Sequence, residues 1–124
     1  MLHRIVIAVV VAFTSLAAAC DGGDCAGVGR PAFEVTVLDA RTGAPITDSV
    51  VVYVFQLPDL ARVDSATRQS APGRIPAADE RSGRFNVVVE RPGYFPWTAE
   101  NRQVIEKCSV ETVFLTARLL RRGT

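Results

Sequence analysis

Between Phe33 and Leu119, apolar side chains recur at every second position in one segment after another, and that period rules out a helical fold. In "AFEVTVLD", Phe33, Val35 and Val37 share one face and Glu34 and Thr36 the other. "GRFNVVVER" repeats the pattern through Phe85, Val87 and Val89. "SVETVFLTARLL" sets Val110, Thr112, Phe114 and Thr116 opposite Val113, Leu115 and Ala117. Successive side chains of a strand point to opposite faces, so each segment reads as a half-buried strand. "SVVVYVFQ" is β-branched and aromatic throughout, which predicts a central strand covered on both faces. "PGYFPWTAENRQVI" begins with a Pro-Gly turn and continues extended. No segment keeps a 3.6-residue period with caps, so little or no helix is expected.

Turn chemistry separates these segments. Gly43 and Gly93 can take positive φ where a tight turn needs it, and Pro45 fixes φ just before the chain re-enters the sheet. The middle, residues 57–82, is less regular. It holds a short strand near Ala61 to Thr67, and then Pro72, Gly73 and Pro76, three breakers in five positions. These predict a long functional or mobile loop. Short strands with turns between them predict one all-β domain over residues 33–120, an Ig-like antiparallel β-sandwich.

The first 19 residues stand apart. "MLHR" is short and basic, "IVIAVVVAFTSL" is apolar, and "AAA" is small, the order of a secretory signal peptide. The 15 residues from Ile5 to Ala19 fall short of the roughly 20 that a membrane-spanning helix needs. Removal of residues 1–19 takes Arg4 from the 14 basic residues and leaves 13 against 13 acids. A neutral mature chain has no electrostatic footprint for nucleic acid. Arg118, Arg121 and Arg122 form the one local excess, and residues 121–124 read as a solvated basic tail.

The junction "LAAAC" resembles the lipobox of bacterial lipoproteins, in which small residues precede a cysteine that is acylated and becomes the new N-terminus. Ala18, Ala19 and Cys20 match; Ala17 stands where that family prefers leucine. The resemblance implies a protein lipid-anchored to a bacterial membrane through Cys20 and facing the periplasm or cell exterior. Ordinary cleavage at Ala17-x-Ala19 is the alternative. Residues 20–32 then form the lipidated N-terminus and a short linker. Outside the cytoplasm disulfides persist, and with Cys20 acylated, Cys25 and Cys108 are left to pair. If the first and last strands run parallel side by side, both cysteines fall at one end, within bridging distance. The rival pairing is Cys20–Cys25.

Across residues 33 to 119 the chain resembles a carboxypeptidase regulatory-like domain. The family's D-x-x-TG-x-P-I turn is matched by Asp39, Thr42, Gly43, Pro45 and Ile46. Gly83 and Phe85 match its G-x-[FY] strand opening, and Gly93 and Tyr94 its G-Y turn. This resemblance implies a transthyretin-like sandwich of about seven strands and says little about function. The stretch from Arg68 to Glu80 is less regular than the family's edge strands.

Chemistry is bounded by what the mature chain lacks. The only histidine, His3, lies in the leader, so neither a His-based triad nor a His metal site can form. Asp59, Asp64, Asp79 and Glu80 lie in no recognisable catalytic frame, and no calcium or phosphate loop is present. No enzyme activity, cofactor or metal is expected. The binding candidate is "YFPW": Tyr94, Phe95 and Trp97 either pack into the sandwich or offer one face as a platform. Two functions follow: a non-catalytic, membrane-anchored interaction or structural module of the cell envelope with an envelope protein as partner, or a carbohydrate-binding module using Trp97 and the 57–82 loop.

Overall fold

Every segment with a period of two becomes a strand, as does the short strand expected near Ala61 to Thr67, and one further strand forms inside the expected loop. The computed structural model describes residues 29–123. Its strands are β1 (Pro31–Asp39), β2 (Val51–Gln56), β3 (Ala61–Ala66), β4 (Arg74–Asp79), β5 (Gly83–Glu90), β6 (Trp97–Val104) and β7 (Val113–Leu119), with no helix among the described residues. They form two sheets, one ordered β4-β1-β7 and the other β3-β2-β5-β6.

The alternating residues face inward. Phe33, Val35 and Val37 of β1 are buried with Ile75, Ala77, Ala117 and Leu119 of their neighbours. Val52, Val54, Phe85, Val87 and Val89 supply the buried face of the second sheet. Phe33 and Phe85 meet edge to face, ring centroids 5.7 Å apart, the arrangement that the quadrupoles of two aromatic rings favour. Burying each such side chain stabilises the fold by about 1.5–3 kcal/mol.

Three expectations need correction. The sandwich is not purely antiparallel: β1 and β7 run parallel, in register from Phe33 beside Val113 to Asp39 beside Leu119. β2 is central, between β3 and β5, but among the described residues it is covered on one face only. Val51, Tyr53 and Phe55 are half-buried on the outside, where no second layer packs among the described residues. There Tyr53 and Phe55 stack at 6.4 Å, and the Arg62 guanidinium lies 5.6 Å from the Tyr53 ring. Residues 57–82 are not one long loop: the short strand expected near Ala61 to Thr67 is β3, and β4 forms across Arg74–Asp79, where the breakers point to a loop. Pro76 sits within β4 opposite Glu34. Its missing N–H is tolerated because β4 is an edge strand. Asp64 Oδ2 accepts the Ala78 N–H at 2.6 Å and ties β3 to β4.

These pairings give the sandwich two distinct ends. The chain enters β1 at the lower end, where the β5 start, the β6 end and the β6–β7 connection also lie. At the upper end lie the β1–β2 turn, the β5–β6 turn and the chain beyond β7, joined by hydrogen bonds from Phe95 N to Leu120 O and from Arg122 N to Gly93 O.

Candidate functional site

The upper end is organised by one carboxylate. Asp39, the last residue of β1, is 7% exposed. Its Oδ1 accepts the backbone N–H groups of Arg41 at 2.8 Å and Thr42 at 3.1 Å, the local pairing that favours aspartate at turns. The turn then closes through Gly43 N to Asp39 O and Ile46 N to Val37 O. Gly43 takes φ +77°, a conformation in which a Cβ would be strained. The D-x-x-TG-x-P-I stretch is therefore a turn built from the Asp39 side-chain acceptor, the positive φ of Gly43 and the Ile46 N–H bond to Val37.

The other oxygen of Asp39 faces the second sheet. Tyr94 Oη donates to Asp39 Oδ2 at 2.7 Å, and Arg121 Nε donates to Tyr94 Oη at 3.3 Å. Arg121 Nε also lies 3.6 Å from Asp39 Oδ2. The Tyr94 bond, followed by the Arg41 and Thr42 N–H groups, holds the Asp39 carboxyl down at about 2. Arg121 is pushed above its ordinary value, first by its bond to Tyr94 and then by the nearby charge of Asp39. At neutral pH, Asp39 is an anion held beside the Arg121 guanidinium.

Arginines surround this core. The guanidinium carbons of Arg91 and Arg121 lie 5.4 Å and 5.5 Å from the Tyr94 ring centroid, and that of Arg122 lies 5.0 Å from Phe95. Arg91 is committed, with its Nη2 donating to both carboxylate oxygens of Asp48 at 3.0 and 3.1 Å. Arg122 Nε donates to the carbonyl of Tyr94 at 3.2 Å. Three clefts meet here. One of about 350 Å³ runs between Arg91, Pro96 and Arg122. A second, about 260 Å³, lies between Asp39, Asp48 and Arg91. A third, about 310 Å³, lies between Arg41, Leu120 and Arg121.

The expected binding residues separate. Tyr94 is buried at 7%, Phe95 is 51% exposed, and Trp97 is half-buried against the core beside Val89. "YFPW" is thus neither wholly core nor an open platform. The tail reading also changes: Arg121 and Arg122 stay exposed, but their backbone is tied to the β5–β6 turn. Sequence reasoning does not single out Asp39 or Arg91 as site residues. Asp39 carries a signal, through the turn motif; Arg91 carries none beyond its place before Pro92-Gly93.

Elsewhere the acids are dispersed. Asp64 serves β4, Glu80 Oε2 accepts the Arg30 N–H at 2.6 Å, and Asp59 and Asp79 are exposed. Among the described residues, no three His, Cys, Asp or Glu side chains cluster as metal ligands would, and no helix is long and apolar enough to cross a membrane. Cys108 lies in the β6–β7 connection and is not a free thiol. Cys20, Cys25 and the expected leader, residues 1–19, lie outside the described residues.

Comparison with protein-family models finds no match, and comparison with curated proteins finds no relative.

Proposed function

We propose that this protein is a non-catalytic, membrane-anchored lipoprotein of the bacterial envelope, and that it acts as an interaction module. The observation that carries the reading is the separation of the two ends. The chain enters β1 at the lower end, while the arginine-lined clefts lie at the upper end. The nine residues of β1, at roughly 3.3 Å each, set them about 30 Å apart. A lipid on Cys20 would place the lower end toward the bilayer and leave the clefts facing away from it. Leu60 and Ile105, 51% and 49% exposed at the lower end, suit a surface close to lipid.

The carbohydrate reading has less to stand on. Its 57–82 loop is divided by β3 and β4, and Trp97 packs against the core. Membrane fractionation with mass spectrometry of the N-terminal peptide tests the proposal. The expected result is an acylated Cys20 in the membrane fraction and release or failed processing of Cys20→Ser. Soluble wild-type protein with an unmodified Cys20 thiol would overturn it.

A further inference from the structure

We propose that the upper end docks an extended acidic segment of a partner protein, with an apolar residue of that segment seated on Phe95 and Leu120. This rests on reading the chain as an interaction module. Four arginines line the clefts, but they are not equally occupied. Arg91 is held by Asp48 and Arg121 by Asp39. Among the described residues, Arg41 and Arg122 have no carboxylate partner. Glu90 lines the first cleft, also without an ion-pair partner among the described residues. Arg122 and Glu90 line the first cleft and Arg41 the third, so among the described residues the upper end carries two guanidiniums without a carboxylate partner and one acid without a cation.

The chemistry of that surface selects the occupant. A guanidinium presents five N–H donors in a planar fork that matches a carboxylate bidentately. Arg122 is placed for this, with one flank against Phe95 and its Nε fixed on the Tyr94 carbonyl. Phe95 and Leu120, 51% and 62% exposed, lie side by side because Phe95 N bonds Leu120 O. Aromatic and arginine side chains together are the usual anchors of protein interfaces. A neutral sugar would need an open aromatic face, and Arg122 covers one face of Phe95. A bilayer is disfavoured because the tether emerges at the other end.

The test uses the full-length protein in detergent and a labelled synthetic peptide alternating glutamate and leucine. Its lysine-for-glutamate counterpart, polygalacturonate and phosphatidylglycerol vesicles serve as comparisons. The glutamate peptide is expected to bind saturably and to weaken at least about tenfold between low and ~0.5 M salt, as screened charges do. Arg41→Glu and Arg122→Glu should each weaken it by roughly tenfold. The Arg41 side chain has no carboxylate partner to lose, so R41E keeps the test valid if R122E disturbs the fold. Equal binding of the lysine peptide, indifference to both substitutions, or tighter binding of polygalacturonate or vesicles would each overturn the proposal. Because the probe binds in detergent, the result does not depend on whether Cys20 is acylated, and a failed anchor is read separately by fractionation.

Discussion

Tyr94 and Asp39, 55 positions apart, share a 2.7 Å hydrogen bond that joins the two sheets at the upper end. The same carboxylate caps the β1–β2 turn with its other oxygen. One side chain thus sets the relative position of two turns that carry the cleft residues.

A pH dependence follows. The Asp39 carboxyl is held at about 2, below the ordinary 3.8. The unfolded chain takes up this proton first, so acid favours unfolding through Asp39. Its contribution is complete above about pH 4 and disappears as pH falls toward 2. Denaturant midpoints of wild type and Asp39→Asn should differ at pH 6 and converge near pH 2. A gap that stays constant across that range would refute the linkage.

Two glycines with nearly the same φ should respond differently to alanine. Gly43 at +77° has open space where a Cβ would stand, so Gly43→Ala costs only the backbone strain, about 1 kcal/mol. Gly73 at +74° would place a Cβ 2.7 Å from Pro45 Cβ and 3.2 Å from the Val37 carbonyl oxygen. Gly73→Ala should therefore cost about 1–3 kcal/mol more, since overpacking adds to the strain. Chemical denaturation of the two variants checks the order.

The proposed Cys25–Cys108 bridge should appear as one cross-linked peptide in a non-reducing map. The parallel pairing of β1 with β7 brings the start of β1 to the end that holds the Cys108 connection. The loop from Cys25 to Cys108 spans 84 residues, so reduction should cost up to about 4.5 kcal/mol. A Cys20–Cys25 peptide, or a free Cys108 thiol in exported protein, would end this pairing.

Side-chain periodicity makes β1, β5 and β7 legible, because each buries one face. β4 is hidden by Pro72, Gly73 and Pro76, which read as breakers although an edge strand accommodates proline. β2 reads as covered on both faces, since Tyr53 and Phe55 look like core residues until their ring stacking and Arg62 account for them. The turn around Asp39 is visible as a motif, but its bond to Tyr94 spans the fold and leaves no local signature. Arg121 and Arg122 look like a loose tail because main-chain hydrogen bonds tie them down, and those are blind to residue type.

The parallel β1–β7 pair has a mechanical consequence. β1 begins at the lower end and β7 finishes at the upper end, with seven residue pairs in register between them. A pull on the chain before β1 against a load held beyond β7 is directed along both strands. The hydrogen bonds between them are then sheared together rather than peeled one by one. A molecule strained between its two termini resists with the whole length of that seam at once.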